Sequence, residues 1–135
     1  MTSSYVIGVD IGTTSTKSVL FDTKGVLIAS HTIEYPLYSP KPDVAEQDPE
    51  EIFRAVIGTI KQVVLNSSVD PSNVLCVSFS SAMHSVIAVD ADGHPLTRCI
   101  TWADNRSAFW TERIKNEMNG HQIYLRTGTP LHPMA

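Results

Sequence analysis

The sequence predicts an α/β fold built around a mixed β-sheet. Three β-rich segments, separated only by short turns, occupy residues 5–33 and are typical of an antiparallel three-strand meander. An amphipathic helix is predicted after Asp48, and a further β-rich run covers residues 74–80. Because a helix between two strands permits a crossover, we expect the last strand to join the same sheet.

The meander is recognised by its turns. Residues 5–11 form a β-rich run that stops at a Gly-Thr-Thr-Ser turn at 12–15, and residues 16–21 form the second run. The Asp-Thr-Lys-Gly sequence at 22–25 is a second turn signal, which is followed by a third run at 26–33. This spacing predicts three consecutive strands, each antiparallel to the next.

The helix is predicted to start after a loop at residues 35–42, which contains three prolines. Asp48 is a typical N-cap, Pro49 suits the first helical position, and Glu51 follows three residues after the cap. The predicted apolar face, which we expect to lie on the sheet, consists of Ile52, Phe53, Val56, Ile57, Ile60, Val63 and Val64.

Beyond the helix the signals are shorter. Residues 74–80 are predicted to form a buried strand, and residues 85–89 a further strand that enters the Asp-Ala-Asp-Gly turn at 90–93. A second helix is predicted from about Ser107 to Met118, where it ends at an Asn-Gly pair, because apolar residues recur at every fourth position. Residues 127–133 read as a Pro/Gly-rich loop.

Composition excludes several classes of protein. The 135 residues carry 10 Lys and Arg against 14 Asp and Glu, a formal charge of -4, and 42% are hydrophobic. This is the composition of a globular chain, and its apolar runs are too short to span a membrane. The basic residues are scattered, so neither a nucleic acid nor a membrane is an expected partner.

The cysteines and the N-terminus indicate the compartment. Cys76 and Cys99 are far apart in sequence, and Cys76 lies in an apolar run, so both are predicted to be reduced core residues. Residues 1–5 include neither a basic segment nor an apolar stretch of signal-peptide length. The expected location is therefore the cytoplasm.

The segment from Asp10 to Lys17 has the parts of a phosphate clamp. Gly12 permits close backbone approach, the hydroxyls of Thr13 and Thr14 can donate to phosphate oxygens, and the Asp10 carboxylate can hold Mg²⁺ or its waters. Neither a P-loop nor a Gly-x-Gly-x-x-Gly dinucleotide motif is present. A polar hairpin turn with a solvated lysine explains the same residues equally well.

This segment, Asp-Ile-Gly-Thr-Thr-Ser-Thr-Lys at 10–17, resembles the first phosphate motif of the sugar kinase, actin and Hsp70 superfamily, whose core is a ribonuclease H-like fold. Three further segments, at 46–51 (Glu-Gln-Asp-Pro-Glu-Glu), 80–84 (Ser-Ser-Ala-Met-His) and 102–106 (Trp-Ala-Asp-Asn-Arg), resemble the FGGY carbohydrate kinases in the same order. The resemblance spans nearly the whole chain. It implies an actin-like ATPase fold and the transfer of the γ-phosphoryl group of ATP to a sugar.

The resemblance also implies roles for the phosphate residues. Asp10 would work with Mg²⁺, partly through water, Thr13 and Thr14 next to Gly12 would bind the transferred phosphoryl group, and Lys17 would add positive charge. Stabilising charge in this way is what phosphoryl transfer chiefly requires.

Family resemblance further implies a sugar site. Met83 and His84 resemble the Gln-Met-His segment of xylulokinases, although Ala82 replaces the glutamine. Trp102, Asp104 and Arg106 match the Trp-x-Asp-x-Arg segment that lines the polyol site. Structural explanations remain open for each residue: His84 could close a strand, Asp104 could cap the next helix, and Trp102 could lie in the core.

The narrowest indication of the substrate is the C-terminal stretch. Residues 127–134, Thr-Gly-Thr-Pro-Leu-His-Pro-Met, resemble a segment of the gluconate kinases in this family. Gluconate would give 6-phosphogluconate, and its carboxylate would need donors such as Arg106, His84 or His132. A proline-fixed loop in which His132 merely packs is the alternative explanation.

Members of the family are several-fold longer and have two domains. Residues 1–135 are therefore expected to be the N-terminal part of the first domain, with the catalytic base and the adenosine contacts outside them. We expect residues 1–135 alone to bind ligands weakly and to lack kinase activity, because donor, Mg²⁺ and acceptor must be aligned. Exposed apolar surface on the sheet would favour self-association, for example as a homodimer.

Other functions remain open at this point. Xylulose or another pentulose is the alternative substrate, favoured by Met83-His84. An ATPase switch of the actin or Hsp70 kind would use residues 10–17 in the same way, but the segment 102–106 argues against it. A noncatalytic sugar sensor would keep the sugar site and lose the base.

Overall fold

All three strands of the meander are present in the computed structural model, which describes residues 4–134. Strands β1 (Tyr5–Ile11), β2 (Ser15–Asp22) and β3 (Leu27–Glu34) pair antiparallel in sequence order. A further strand, β5 (Val74–Ser81), adds to the other side of β1 in the parallel direction. The sheet therefore has the order β3-β2-β1-β5, which confirms the predicted α/β class and mixed sheet.

Helix α1 (Pro49–Ser67) connects the meander side of this sheet to β5. Its N-cap is Asp48, whose side chain accepts a hydrogen bond of 2.9 Å from the Glu50 backbone N–H, and Pro49 occupies the first turn as predicted. The C-cap that follows the helix is Ser68, which is in the left-handed conformation with φ 55°. A short 3-10 helix, Pro71–Asn73, then leads into β5.

The core of this part lies between α1 and the sheet. Ile7 and Val9 of β1 and Leu20 of β2 are at most 2% exposed, and they pack in one cluster with Val56 and Val63 of α1. Because side chains alternate across a strand, these residues all point from one face of the sheet. Burial of these five side chains provides most of the hydrophobic stabilisation that holds α1 on the meander.

The predicted apolar face of α1 is only partly correct. Phe53 is 61% exposed and Ile57 is 38% exposed. The buried stripe instead includes Thr59, together with Val56 and Val63, at helical spacing of three and four residues. Phe53 and Ile57 lie at the margins of this stripe, where the described part of the chain offers no complete cover.

Thr59 is buried because its hydroxyl is fully paired. Ser18 Oγ on β2 donates to Thr59 Oγ1 over 2.8 Å, and Thr59 Oγ1 donates to the Val56 carbonyl over 3.0 Å. Both Ser18 and Thr59 are 0% exposed. This bond fixes the position of α1 along β2 without leaving a buried polar atom unsatisfied.

Strand β5 is the exposed edge of the sheet. Leu75 and Phe79 are more than half exposed and Val77 is 38% exposed, although Val77 and Phe79 are in register with the buried Ile7 and Val9. The reason is that α1 packs mainly on β2 and β3 and does not extend over β5. The prediction that Cys76 is a core residue is wrong for another reason. Cys76 is in register with Val6 and, by the alternation of side chains, lies on the face of the sheet opposite to α1, where it is exposed.

These elements form one compact unit, comprising residues 4–36 and 48–82 of the described chain, and a second unit comprises residues 37–47 and 83–134. In the second unit, β4 (Glu46–Gln47) pairs antiparallel with β6 (Cys99–Ile100). Cys99 is buried there, as predicted, and burial raises the pKa of its thiol.

The segment 85–89 is not a regular strand, contrary to the sequence prediction. It forms only isolated bridges, from Val86 to Ile100 and from Val89 to Pro95. Asp90 ends the segment, because its side chain accepts backbone hydrogen bonds from within the following turn and directs the chain away.

Two helices complete the second unit. Helix α2 (Ala108–Glu117) confirms the predicted second helix, but α3 (Gly120–Thr127) was not predicted. Asn119, with φ 55°, turns the chain between them, and a Cβ at Gly120 would lie 2.7 Å from the Lys115 Cα. The Asn-Gly pair therefore marks a change of direction between two helices. None of the helices within residues 4–134 has the length and apolar character needed to cross a bilayer.

The core cluster predicts the effect of one truncation. We expect Leu20→Ala to lower the free energy of unfolding by about 2–5 kcal/mol, because Leu20 is fully buried and its loss leaves a cavity. Leu65→Ala on α1 is the control, since Leu65 is 71% exposed, and it should change stability by less than about 0.5 kcal/mol. Urea denaturation followed by circular dichroism measures both. Equal effects of the two substitutions would show that the assigned core is wrong.

Candidate functional site

The predicted phosphate turn joins β1 to β2 at one end of the sheet. The Gly12 N–H donates to the Ser15 carbonyl over 2.9 Å, which closes the turn. A Cβ at Gly12 would lie 3.1 Å from this carbonyl oxygen, so the absence of a side chain there keeps the turn tight. Thr13 and Thr14 form the tip, and Thr14 is exposed. Three of the predicted phosphate residues are thus adjacent in one turn.

Asp10 and Lys17 lie opposite each other on β1 and β2 and are exposed. By the alternation of side chains they occupy the face of the sheet opposite to α1. Within residues 4–134 neither side chain forms an ion pair within 4 Å. A carboxylate and an ammonium group are therefore both accessible beside the turn, as the prediction of a phosphate site requires.

Two serines of β5 extend this polar surface. Ser80 is in register with Asp10, and Ser78, two residues earlier on the same face, is in register with Gly8. Together with Asp10 and Lys17 they line a shallow cavity of about 300 Å³. These serines were not predicted as site residues, because a serine within a β-rich run looks the same in the sequence whether it binds a ligand or only forms part of the strand.

The donors on this face fit a magnesium ion. Mg²⁺ prefers hard oxygen ligands and is commonly held by one or two carboxylates, with water and phosphate oxygens completing its coordination. Asp10 provides one exposed carboxylate, and the serine hydroxyls nearby can bind metal-bound water. Such a donor set fits an ion that is held through water and phosphate, as was predicted for Asp10.

The second unit contains a cavity of about 590 Å³ that is lined by three of the six predicted sugar residues: His84, Asp104 and Arg106. Trp110 and Ser107 at the start of α2 line it as well. These last two residues were not predicted as site residues, since Trp110 was counted only among the apolar residues whose fourfold spacing predicted the helix. It is 56% exposed, and therefore its indole is available as a wall of the cavity.

The other three predicted sugar residues do not line this cavity. Met83 is 71% exposed and Trp102 is 38% exposed, so Trp102 is not a core residue either. His132 lines a separate cavity of about 360 Å³, beside Ser107 and Trp110. Its Nδ1 accepts a hydrogen bond of 3.1 Å from the Met134 backbone N–H, which leaves Nε2 as the donor of the neutral ring.

Asp104 is the most constrained side chain of the cavity. It is 4% exposed, and its carboxylate accepts backbone hydrogen bonds from Ala45 (2.9 Å) and Arg106 (3.0 Å). Arg106 Nε lies 3.0 Å from both carboxylate oxygens, and Nη2 lies 2.8 Å from Oδ2. Asp104 does not cap the following helix, whose N-cap is Ser107. Its carboxylate is committed to Arg106 and the backbone.

The pKa of Asp104 reflects this environment. Burial raises the pKa of the carboxyl group, but the hydrogen bonds and the positive charge of Arg106, with the Ala45 backbone N–H, outweigh burial and lower the pKa below its ordinary value. The same hydrogen bonds raise the pKa of Arg106. Both groups are therefore charged throughout the physiological range.

A second carboxylate holds Arg106 from β4. Arg106 Nη2 lies 2.6 Å from Glu46 Oε1. Glu46 was not predicted as a site residue, because nothing in a single sequence indicates a partner 60 residues away. The two N–H groups of Nη1 have no hydrogen-bond partner within the described residues 4–134, so they remain available to a ligand.

His84 enters the cavity from a strained position. Its φ is 59°, a left-handed conformation that is uncommon for a residue with a side chain. His84 is exposed and lies three residues beyond the end of β5, so it is not the residue that closes that strand. Such strain often accompanies function, and the position of His84 beside Arg106 in the cavity is consistent with a binding role.

Comparison with known proteins identifies relatives along the whole chain. Residues 5–135 match the model of the FGGY family of carbohydrate kinases, N-terminal domain. A gluconokinase of Bacillus subtilis (strain 168) is 56% identical over 133 residues, which are 98% of this chain and 26% of that protein. The chain thus spans about a quarter of the length of this relative.

Solved structures agree with the sequence comparison. A gluconate kinase from Lactobacillus acidophilus superposes with a TM-score of 0.90 at 44% identity, and a ligand-bound xylulose kinase from the same organism with 0.86 at 42%. Each match covers 98% of this chain and 26% of the other.

The buried carboxylate of Asp104 predicts a pH dependence of stability. Its pKa is lower in the folded than in the unfolded chain, so its stabilisation is complete above about pH 4 and is lost as the pH falls through the folded pKa. We expect Asp104→Asn to cost about 1.5–3 kcal/mol at pH 7 and to flatten the loss of stability between pH 5 and pH 2.

Denaturation midpoints measured across this pH range test the prediction. Asp92→Asn is the control, because Asp92 is an exposed aspartate of the same unit, and its curve should follow that of the parent. An unchanged acid slope in Asp104→Asn would contradict the assigned ion pair.

Proposed function

The chain belongs to the FGGY family of carbohydrate kinases, and we propose that the complete protein transfers the γ-phosphoryl group of ATP to a hydroxyl of gluconate, giving 6-phosphogluconate. The observation that carries the choice of gluconate is the 56% identity with a gluconokinase over 98% of this chain. Agreement of the segment 127–134 with gluconate kinases points the same way.

Xylulose is the second candidate substrate. A xylulose kinase is 42% identical to this chain with a TM-score of 0.86, so the fold alone does not discriminate between the two sugars. Gluconate carries a carboxylate, whereas xylulose is an uncharged ketose, and a binding site for gluconate therefore needs positive charge or several donors.

Arg106 is the proposed main donor to the substrate. The carboxylates of Glu46 and Asp104 hold two sides of its guanidinium group, and the N–H groups of Nη1 remain for a hydroxyl or carboxylate. A guanidinium fixed in this way loses little conformational entropy when it binds. The three charges sum to one negative charge, so an anionic substrate also needs His84, or His132 from the adjoining cavity, as a donor.

The turn at 12–15 and Lys17 are the proposed phosphate site. The hydroxyls of Thr13 and Thr14 and the backbone N–H groups at the tip of the turn donate to phosphate oxygens, whereas the Gly12 N–H is bonded to the Ser15 carbonyl. Lys17 contributes a full positive charge. Asp10 is the proposed magnesium residue, and the ion, when bound, neutralises charge on the phosphates. These groups stabilise the transfer electrostatically, whereas the catalytic base is proposed to lie outside residues 1–135.

We also propose that the reaction takes place in the cytoplasm. Both cysteines are free thiols, which suits the reducing and ATP-rich cytoplasm. We further propose that residues 1–135 are the first part of a larger kinase domain, and that the exposed apolar side chains of β5 favour self-association, as in a homodimer, when nothing covers them.

ADP release by the complete protein tests the proposed activity. With Mg-ATP and a panel of gluconate, xylulose, ribulose and glycerol, we expect gluconate to stimulate ADP formation selectively, while residues 1–135 alone show no turnover. Stimulation by xylulose alone would show that xylulose, and not gluconate, is the substrate. ATP hydrolysis that does not depend on a sugar would indicate an ATPase switch. Sugar binding without turnover would indicate a sensor.

Arg106→Ala in the complete protein is expected to lower kcat/KM for gluconate at least tenfold, because it removes a charged donor. Arg113→Ala is the matched control, since Arg113 is an exposed arginine of the same unit that pairs with Glu117 on α2. Thermal denaturation must accompany the assay, as Arg106→Ala also leaves Asp104 without its partner. A folded Arg106→Ala variant with full gluconate turnover would refute the proposed role.

Lys17→Met is expected to raise the dissociation constant for ATP about tenfold or more, because it removes a charge-assisted contact to phosphate. Lys24→Met provides the comparison, as Lys24 is an exposed lysine in the turn between β2 and β3. Isothermal titration calorimetry measures both. Equal affinities in the two variants would place the phosphates elsewhere.

A further inference from the structure

Tyr35 follows β3 and makes two separate contacts with the 12–15 turn. Its phenol donates a hydrogen bond of 2.7 Å to the Gly12 carbonyl, and its backbone N–H donates one of 3.0 Å to the Thr14 carbonyl. The residue is 8% exposed, so both bonds are shielded from water. One residue, 21 or more positions away in sequence, thus holds both carbonyl groups that flank the turn's tip.

The phenol is itself held in place. Thr16 Oγ1, which is 0% exposed, lies 3.1 Å from the Tyr35 hydroxyl. A phenol has one proton, and here it is donated to Gly12, so the Thr16 hydroxyl must be the donor to the phenol oxygen. Donors and acceptors therefore form an ordered chain, from Thr16 through Tyr35 to Gly12, in which each bond polarises the next.

The consequence for the turn follows from peptide geometry. In a trans peptide plane the C=O and N–H groups point in opposite directions. A Gly12 carbonyl directed to Tyr35 turns the Thr13 N–H away from Tyr35, and a Thr14 carbonyl directed to Tyr35 does the same for the Ser15 N–H. Carbonyl oxygens would repel a phosphate, whereas N–H groups attract it.

We propose that Tyr35 is a positioning residue for the phosphate turn. It holds the Gly12 and Thr14 carbonyl groups on its own side of the turn. The Thr13 and Ser15 N–H groups are thereby fixed in the opposite direction, where they can donate to phosphate oxygens. This inference rests on the proposed nucleotide site at 12–15 and extends it to a residue outside the turn, which acts through the turn's backbone.

Tyr35→Phe in the complete protein tests the inference, because it removes only the hydroxyl. We expect KM for ATP, and the dissociation constant for Mg-ATP measured by calorimetry, to rise about two- to tenfold, the loss that corresponds to one neutral hydrogen bond. KM for the sugar should not change. A general structural defect would instead impair the binding of both the sugar and ATP.

Ser18→Ala is the matched control. Ser18 also makes a buried hydroxyl bond in the same unit, to Thr59, but does not contact the turn. It should lower the melting temperature to a similar extent and leave KM for ATP unchanged. Equal ATP affinity in Tyr35→Phe and the parent, or equal losses in Tyr35→Phe and Ser18→Ala, would overturn the positioning role.

The outcomes also separate this inference from the proposed function. If the parent protein bound Mg-ATP without phosphorylating any sugar, the kinase proposal would fail, and a selective loss of ATP affinity in Tyr35→Phe would still support the role of Tyr35. Absence of ATP binding by the parent would overturn both.

Discussion

The strict alternation of side chains along β1 and β2 is the constraint on which the first unit depends. Ile7, Val9 and Leu20 point to α1 and form the core, whereas Asp10 and Lys17 point to the opposite face. A shift of one residue in the pairing would exchange the two sets, placing charges under the helix and apolar groups in water. The same hydrogen-bond register therefore determines both stability and the composition of the candidate phosphate site.

A buried ion pair has a corresponding role in the second unit. Regular secondary structure is sparse around Asp104, since β4 and β6 have two residues each. The Asp104 carboxylate connects the backbone at Ala45 to the Arg106 side chain, which also contacts Glu46. Such a pair contributes less net stability than its short distances suggest, because both charges lose water. Its larger contribution is to specify the orientation of one guanidinium group.

Local signals in the sequence were sufficient for the elements that begin or end at a distinctive residue. Asp48-Pro49 determined the start of α1, and the turns at 12–15 and 22–25 determined the meander. The Asn-Gly pair was misleading, because a left-handed residue ends one helix and also permits another to start at once.

Long-range contacts account for the remaining differences. The exposure of Phe53 depends on what packs beside α1, and that of Cys76 on whether anything covers the sheet face opposite to α1; periodicity encodes neither. Glu46 and Tyr35 become important only through partners far along the chain, and a single sequence gives no sign of such pairs. Residues within one motif, such as Asp104 and Arg106, were by contrast predictable together.

The exposed position of Cys76 on β5 has a chemical consequence. The thiolate of an accessible cysteine attacks alkylating reagents, while burial of Cys99 both blocks access and raises the pKa of its thiol. The two thiols of the chain should therefore differ widely in labelling rate, and Cys76 is the reactive one. Its modification rate reports directly on whether the edge of the sheet is solvent-exposed or covered by another segment of polypeptide.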